Sequence, residues 1–440
     1  MTQAKPRLAV IGAGIAGLSM AWLARDDFDV TLFEAEDRLG GHADTQHVTI
    51  DGHDIAVDTG FIVLNDRNYP NLEGLFAALK VATHNSDMSF GVSIGLGALE
   101  YGGGSLRQLF AQKRNLFRPR FIQMVRDILR FNREAPALIA SRSIESLGDY
   151  ITRNGYGPGF AEDHILPMGA AIWSASIEGM RDFPVRNFVR FFHNHGLLTL
   201  TDRPQWRTVT GGSCRYVEKL RAALGERVRT ASPVRGVSRD AEGVTVITDA
   251  GRERFDQVVL ACHADAALAM IEAPSGAECS ILGAITFQDN RAVLHSDVAL
   301  MPKRRAVWSS WNYLSRGMAD RSGGVSLTYW MNLLQGMKTK QPLLVSLNPP
   351  IEPNPALILL ERTYRHPQFN AQAMAAQERL GSIQGKDRLW FAGAWTGWGF
   401  HEDGIASAVE IARALGITVP WPAADHRPGV VQKQKNARAL

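Results

Sequence analysis

The densest group of residues suited to one chemistry lies near the start of the chain. Gly12, Gly14 and Gly17 directly follow the apolar run 8–11, and Glu34 follows a second apolar run. In this spacing the first glycine permits a tight turn, the second lets a pyrophosphate approach the backbone, and the third lets a helix pack on a strand. Glu34 stands where a carboxylate accepts hydrogen bonds from ribose hydroxyls. The pattern predicts a dinucleotide site, and the alternative is an ordinary glycine turn.

The elements that must position these residues form a β-α-β unit. Residues 8–11 are typical of a strand buried on both faces, residues 18–25 of a helix, and residues 29–34 of a second strand. A helix that begins after the glycines directs free N–H groups and positive partial charge at phosphates. We therefore predict an α/β fold with a Rossmann-like parallel sheet.

Composition narrows the function classes. The chain has 440 residues, of which 45% are hydrophobic and 21% charged, so it can bury a large core. Three cysteines cannot form a disulfide framework, and their spacing indicates no metal site, which favours a reducing compartment. A net charge of +4 is too small for a nucleic-acid binder. The apolar run 8–24 is interrupted by glycines and is a poor membrane span. We expect a cytoplasmic protein, or one at the inner face of the membrane.

The stretch after Glu34 carries a resemblance to a known family. Residues 34–42 read Glu-Ala-Glu-Asp-Arg-Leu-Gly-Gly-His. They resemble the Glu-Ala-x-x-Arg-x-Gly-Gly signature of the flavoprotein superfamily of monoamine oxidases, protoporphyrinogen oxidases and phytoene desaturases. The resemblance implies FAD as the cofactor, with contacts from Arg38, Gly40 and Gly41. Many members have arginine after the double glycine, where this chain has His42.

The same resemblance implies a discontinuous FAD domain. Residues 231–260 contain a succession of β-rich runs, which the family uses to flank the adenine through the backbone at Val234. Plain hairpin strands are the alternative for this region. Near the C-terminus an apolar strand at 389–394 runs into a segment with helical spacing from Ile405 to Leu415. We predict Asp403 as the helix N-cap. The helix start would face the N1/C2 edge of the isoalloxazine ring and favour hydride acceptance at N5. The cofactor contacts assigned here are Gly393, Trp395, Asp403, Gly404 and Ile405.

Residues 391–404 have a distinctive wording, Phe-Ala-Gly-Ala-Trp-x-Gly-Trp-Gly-Phe-His-Glu-Asp-Gly. Relatives commonly have glutamate where Ala394 stands. The wording is similar to the branch of the superfamily found beside cyclopropane-fatty-acid-synthase-type methyltransferases. This resemblance implies a lipid acyl chain as substrate, methyl-branched or unsaturated and carried on a phospholipid, as in furan-fatty-acid synthesis.

The chemistry expected from this resemblance is desaturation, in which a hydride and a neighbouring proton leave the chain. Amine-oxidising relatives commonly have a lysine near N5, whereas the run 279–302 contains none. His401 and Glu402 are the predicted proton acceptors, with His193 and His195 as weaker candidates. The alternative role for His401 and Glu402 is to hold the loop and the flavin.

Residues 107–133 hold eight basic side chains and a single acid, Asp127. Within them the apolar residues recur at helical spacing and arginines form the other stripe; the apolar set is Phe121, Met124, Val125, Ile128 and Leu129. A basic amphipathic helix can lie on an anionic membrane, so residues 118–133 are predicted to make peripheral contact. A core-packed helix with a solvated arginine face is the alternative.

The predicted organisation has two interleaved domains. Residues 1–80, 205–265 and 385–418 would form the FAD-binding domain, residues 81–204 and 266–384 a substrate domain with helices and an antiparallel sheet, and residues 419–440 a flexible basic tail. Three functions stay open: a lipid desaturase, an amine or small-molecule oxidase, and an FAD-holding partner of a methyltransferase. The sequence leaves a homodimer open.

Overall fold

The computed structural model describes residues 4–141, 143–199, 203–317 and 325–422. The strands in chain order are β1 (Arg7–Ile11), β2 (Asp29–Phe33), β3 (Thr45–Ile50), β4 (His53–Asp58), β5 (Val63–Asn65), β6 (Thr83–Asn85), β7 (Phe90–Ile94), β8 (Leu99–Gly102), β9 (Trp206–Val209), β10 (Val228–Arg229), β11 (Val234–Arg239), β12 (Val244–Thr248), β13 (Gly251–Phe255), β14 (Gln257–Leu260), β15 (Phe287–His295), β16 (Trp311–Ser315), β17 (Leu327–Trp330), β18 (Leu344–Leu347), β19 (Ile358–Pro367) and β20 (Leu389–Phe391).

The helices connect these strands and cover the sheets. In chain order they are α1 (Ile15–Ala24), α2 (Pro70–Leu79), α3 (Leu106–Leu109), α4 (Pro119–Glu134), α5 (Leu147–Arg153), α6 (Pro158–Phe160), α7 (Leu166–Trp173), α8 (Ile177–Arg181), α9 (Val185–Asn194), α10 (Cys214–Leu224), α11 (Ala264–Met270), α12 (Gly276–Leu282), α13 (Met331–Leu334), α14 (Ala371–Arg379) and α15 (His401–Ala414). Within the described residues, no helix is both long and apolar enough to cross a bilayer.

A five-stranded parallel sheet carries the glycine-rich turn. Its strand order is β10-β2-β1-β14-β20, and each neighbouring pair runs parallel. β1 and β14 are almost entirely buried, which explains their uninterrupted apolar sequences. The strands come from three separated stretches of chain, so the predicted α/β fold with a discontinuous parallel sheet is confirmed. The proposed domain limits stay a prediction.

A second, seven-stranded sheet has the order β19-β15-β18-β17-β16-β7-β8. Its pairs are antiparallel except β16 with β7. Helices α4 to α9 cover strands β7, β8, β16 and β17 and enclose an aromatic-rich core. This sheet with its helices corresponds to the antiparallel sheet expected outside the nucleotide-binding part.

Two predictions need correction: the start of the flexible tail at residue 419, and Asp403 as the N-cap of the C-terminal helix, whose N-cap is Phe400. The predicted tail begins too early, because Trp421 is buried, stacks on Trp22 with ring centroids 6.3 Å apart, and donates its Nε1–H to Asn71. The rest of the predicted tail, residues 423–440, lies outside the described residues. The C-terminal helix begins at His401, so Asp403 is its third residue, and its carboxylate accepts the backbone N–H of Phe400 at 2.9 Å.

The amphipathic pattern of α4 is directed inward. Phe121 and Met124 are buried in the aromatic core, whereas Leu129 is 52% exposed. The side chains of Arg120 and Arg130 are ion-paired, Arg120 with Asp163 and Glu162 and Arg130 with Asp127 and Glu134. The burial of Phe121 and Met124 agrees with the core-packed alternative, and peripheral membrane contact at 118–133 stays a prediction.

Candidate functional site

The turn between β1 and α1 has the steric form that its glycines predict. A Cβ on Gly12, whose φ is +103°, would lie 2.6 Å from the carbonyl oxygen of Ala261, and one on Gly17 would lie 1.8 Å from the carbonyl oxygen of Gly12. A Cβ on Gly14 would meet nothing within 4 Å. Two glycines are thus required by protein contacts, and the third borders open space. Gly14 is also the N-cap of α1 and supplies no side-chain acceptor, so the first N–H groups of the helix face that space.

Glu34 is fixed at the edge of the same turn. One carboxylate oxygen accepts the N–H of Ala13 at 2.7 Å and the other accepts the N–H of Glu36 at 3.0 Å. The carbonyl of Glu34 accepts the N–H of Ser232 at 2.8 Å, which brings the start of β11 and Val234 to this edge. A carboxylate held in this way is oriented beside the turn, as an adenosine-binding acid must be.

The second glycine pair lies directly on the first turn. The N–H of Gly40 donates to the carbonyl of Ala13 at 2.8 Å, and a Cβ on Gly41 would lie 3.1 Å from the Cα of Gly14. Arg38 donates to the carbonyl of Gly41 at 3.0 Å and pairs with Glu36 and Asp44, so its guanidinium helps to shape this loop. Residues 38–41 therefore close one side of the open space at Gly14.

The start of α15 lies against the start of α1. A Cβ on Gly404 would lie 2.8 Å from Cγ2 of Ile15, so glycine permits the two helices to approach. Gly393 has a φ of +150°, and its N–H donates to Ser407 within α15 at 3.0 Å. Trp395 donates its Nε1–H to the carbonyl of Cys262 at 2.9 Å and is buried. Two helix N-termini, each with positive partial charge, thus converge on one region.

His401 and Glu402 occupy structural positions at this junction. The ring of His401 stacks on Phe61 at 3.7 Å, and its Nε2 lies 3.0 Å from the hydroxyl of Tyr216. Burial lowers the pKa of His401 to about 3. Glu402 is 2% exposed, and its two oxygens accept the N–H groups of Asn71 and Leu72 and the side-chain amide of Asn71, at 2.8 to 3.0 Å. It caps the start of α2 from a distant part of the chain.

These contacts favour the structural alternative for His401 and Glu402, and their role as proton acceptors stays a prediction. An imidazole that resists protonation and a carboxylate whose oxygens each hold a backbone donor are poorly suited to take a proton from a substrate. The alternative role from the sequence, holding the loop, agrees with both environments.

A cluster of histidines was not predicted. The ring centroids of His263 and His366 lie 6.1 and 5.5 Å from that of His42, and the ring of Tyr364 lies 5.4 Å from it. Burial and the neighbouring histidines lower the pKa of His42 well below its usual range, and burial lowers the pKa of His366 to about 4. The ring nitrogens are therefore neutral at physiological pH. Within the described residues, Nε2 of His42 is buried without a hydrogen-bond partner.

Strand β15 supplies an amide next to this cluster. Asn290 is fully buried, and its side-chain N–H groups lie within hydrogen-bonding distance of Nδ1 of His366, at 2.9 Å, and of the carbonyl of Gln288, at 3.1 Å. Its oxygen accepts the amide of Asn348 at 2.7 Å. No local sequence pattern indicates this network, because its members are distant along the chain. Strand β15 thus presents a neutral amide to this histidine cluster.

Aromatic rings line the approach to α15. The ring of Phe400, the N-cap residue, stacks on Phe191 at 5.2 Å, and Trp398 stacks on Phe183 at 6.5 Å. His195 lies 6.0 Å from Phe400, and its Nδ1 is 2.9 Å from the carbonyl of Phe191. Of the four sequence-proposed proton acceptors, His195 is the one that this aromatic wall includes. His193, the fourth, is exposed.

Features of the site fit a bound dinucleotide with a flavin. Open space borders Gly14, the N-terminus of α1 lacks a side-chain cap, and the buried Nε2 of His42 has no partner among the residues that the structure describes. A pyrophosphate would satisfy free N–H groups at a helix start, and a polar group of the cofactor would satisfy the histidine. The geometry therefore defines a dinucleotide-binding fold.

Comparison with known proteins gives the family. The model for flavin-containing amine oxidoreductases matches residues 15–278, and the chain belongs to this family. FAD is accordingly its cofactor, and the chain is a flavin-dependent oxidoreductase.

Solved structures at low identity share the fold. Cyclohexylamine oxidase from Brevibacterium oxydans IH-35A is similar with a TM-score of 0.67 and 15% identity, covering 94% of this chain and 100% of that one. A CLA-producing fatty acid isomerase from P. acnes has a TM-score of 0.66 and 14% identity, covering 94% of this chain and 99% of that one. Putrescine oxidase bound to putrescine has a TM-score of 0.65 and 15% identity, covering 93% and 99%.

Proposed function

We propose that the protein oxidises a lipid acyl chain, methyl-branched or unsaturated, and leaves a new C=C bond. The observation that carries the proposal is the aromatic wall at the start of α15. It is built from Phe183 and Phe191, which are buried in the core, and from Trp398 and Phe400, which are partly buried and present apolar surface beside the helix start predicted to face the flavin. Such a surface binds hydrocarbon better than a charged or strongly hydrated substrate.

Separate groups of residues would hold the cofactor and exclude water from the substrate. Gly14, Glu34 and Gly41 would hold the adenosine and pyrophosphate part, and Gly404 and Ile405 at the start of α15 would hold the isoalloxazine part. FAD, when bound, accepts a hydride at N5. Trp398 and Phe400 exclude water from the reacting carbons.

The second hydrogen leaves as a proton. His195 is the proposed acceptor, because its ring lies against Phe400 within the wall. An allylic carbon is the favoured site of hydride loss, since the developing positive charge is delocalised there. The overall change removes one hydride and one proton from adjacent carbons, and the electron pair left by the proton forms the new bond.

Oxidation of an amine is the second candidate. Two of the similar structures, cyclohexylamine oxidase and putrescine oxidase, act on amines by their names, and the fold is compatible with that chemistry. The same fold also serves a fatty acid isomerase. Against the amine, β15 carries no lysine, and Asn290 with neutral His366 occupies its buried face. A role as an FAD-holding partner of a methyltransferase would leave the flavin unreduced by either class of compound.

The test is anaerobic reduction of the purified holoprotein. Phospholipid vesicles with monounsaturated or methyl-branched chains are expected to remove the visible absorbance of oxidised FAD, whereas putrescine and cyclohexylamine are expected to leave it unchanged. Reduction by the amines and not by the lipids would reject the proposal in favour of amine oxidation. Reduction by neither class of compound would favour a role as an FAD-holding partner of a methyltransferase.

A further inference from the structure

Three chain segments that are distant in sequence form one surface at the β8 edge of the seven-stranded sheet. They are the tip of the β7–β8 hairpin around Leu96, the connection 105–118, and the loop 302–305. We call this the basic–apolar surface. We propose that it docks the protein on an anionic lipid bilayer.

The apolar side chains of this surface are unusually exposed. Phe117 is 87% exposed, Leu106 76%, Leu116 49% and Leu96 43%. They lie on short turns and helices, α3 and the turn Lys113–Phe117 among them, that are anchored from below. Asn115, in the same turn, is buried and donates its side-chain amide to the carbonyl of Glu100 at 3.0 Å. The exposed phenylalanine and leucine side chains therefore project from a backbone that is held in place by buried contacts.

Hydrogen bonds join the three segments. Arg114 and Arg118 both donate to the carbonyl of Ala98, at 2.5 and 3.1 Å, and tie the connection to the hairpin tip. The side chain of Lys303 lies over Gly97, where a Cβ would be 2.8 Å from its Cδ. Arg304 pairs with buried Glu100 at 2.7 Å. The basic run 303–305 therefore lies beside the cations of the other two segments.

The positive charge of the surface is largely uncompensated. Within the described part of the chain, no carboxylate lies within ion-pairing distance of the exposed cations Arg107, Lys113, Arg114 or Lys303, or of Arg118. Burial and then the charges of Arg114 and Arg304 lower the pKa of Arg118, as mutual repulsion requires. By contrast, three of the four cations of α4, Arg120, Arg130 and Arg133, are paired with acids. The membrane contact expected at 118–133 therefore moves to 105–118 and its neighbours.

The mixture of groups selects the partner. The two most exposed apolar residues of the connection each have a cation next to them: Leu106 precedes Arg107, and Phe117 precedes Arg118. This pattern lets apolar groups enter the acyl boundary while cations stay at the level of lipid phosphates. A second copy of the same surface would bring like charges together, which disfavours a symmetric dimer through this face. This inference rests on the proposed function, because a bilayer docked at this surface would be the source of the phospholipid acyl chain that the protein oxidises.

Vesicle co-sedimentation of the full-length holoprotein tests the proposal. We expect binding to phosphatidylcholine vesicles that contain phosphatidylglycerol, weaker binding to phosphatidylcholine alone, and loss of binding as salt rises. The variant with Arg107→Gln and Lys113→Gln should bind anionic vesicles less tightly, by about fivefold for each cation removed. The variant with Leu106→Ser and Phe117→Ser should lose about tenfold or more, since both side chains leave water on docking.

Matched controls lie elsewhere on the molecule. Leu359→Ser removes a partly exposed leucine from β19, at the opposite edge of the sheet, and Lys219→Gln removes an exposed lysine from α10. Both controls should bind like the parent. Parent-like binding by both double variants, or no sedimentation with either vesicle, would overturn the proposal; capture of an acidic protein without vesicle binding would do the same. Vesicle binding is measured without turnover. The membrane-docking proposal can therefore fail while acyl oxidation is supported by flavin reduction, and acyl oxidation can fail while vesicle binding is observed.

Discussion

Substitution of Glu402 distinguishes a structural role of this residue from a catalytic one. We expect Glu402→Gln to lower the free energy of unfolding by about 1.5–3 kcal/mol, because an acceptor of two helix N–H groups becomes partly a donor. Denaturant titration of the variant measures this loss. The rate of flavin reduction by lipid, per folded molecule, should stay near that of the parent. A variant with parent-like stability and a hundredfold slower reduction would restore Glu402 to the chemistry.

His195 is the residue whose loss should affect the chemical step. We expect His195→Gln to slow anaerobic flavin reduction by lipid about a hundredfold, the usual contribution of a positioned proton acceptor. FAD affinity should be unchanged, since the ring lies against Phe400 and Phe191 rather than at the nucleotide turn. Stopped-flow absorbance at several pH values measures the rate. An unchanged rate and pH profile would assign proton removal to solvent.

Local constraints made some site residues predictable from sequence and others not. Gly12, Gly17 and Glu34 meet their partners within one β-α-β unit, so spacing alone indicates their roles. His42 and His366 are separated by most of the chain, and only the pairing of β15 with β19 brings His366 to Asn290. The replacement of the family's arginine by His42 was visible, but its histidine neighbours were not.

At the scale of elements, the β1–α1 turn gives a matched pair of variants. Gly14→Ala should leave the apoprotein as stable as the parent, because the new Cβ meets nothing within 4 Å and the φ of −74° suits alanine. It should weaken FAD binding more than tenfold, because the methyl group enters the space of the pyrophosphate. Gly17→Ala, whose Cβ would lie 1.8 Å from a carbonyl oxygen, should destabilise the apoprotein. Flavin fluorescence titration and thermal unfolding measure the two effects. Equal FAD affinity for Gly14→Ala would place the pyrophosphate elsewhere.

The presence of a helix was easier to predict from the sequence than its first residue or the residues that it packs against. The apolar spacing after Ile405 correctly indicated α15, but its start at His401 depends on Phe400 and on Asp403 accepting the Phe400 N–H, which the spacing does not show. The pattern of α4 has a period that suits either a membrane or a protein core. Only the tertiary contacts of Phe121 and Met124 decide between them.

At the scale of the whole molecule, buried histidines predict a loss of stability in mild acid. Their ordinary pKa is 6.5, and burial lowers it to about 4 in His164, His295 and His366 and to about 3 in His401. Below pH 6.5 the unfolded chain takes up protons that the folded chain does not, so each group costs about 1.4 kcal/mol per pH unit until its folded pKa is reached.

Asp58 has the opposite sign, because burial raises its pKa from 3.8 to about 6 and the folded state takes up that proton first. One such group cannot offset four histidines. We expect the free energy of unfolding, measured by urea titration at constant excess FAD, to fall steadily from pH 7 to pH 5. An unchanged urea midpoint over this range would show that the histidines are accessible to protons in the folded state.

The overall architecture was predictable in class but not in strand order. Apolar runs and glycine spacing indicate a parallel sheet, and the family resemblance indicates its three contributing stretches. The order of the seven-stranded sheet depends on pairings such as β16 with β7, which are more than two hundred residues apart in sequence. No local pattern encodes such a pairing. The basic–apolar surface depends on the same long-range contacts.

The most direct test of acyl oxidation is a stoichiometric anaerobic reaction with a phospholipid whose acyl chains are fully deuterated. For each flavin reduced, we expect one acyl chain to lose two deuterium atoms, as determined by mass spectrometry of the recovered lipid. Reduced flavin with unaltered lipid, or reduction by putrescine or cyclohexylamine while the deuterated lipid leaves the flavin oxidised, would contradict it.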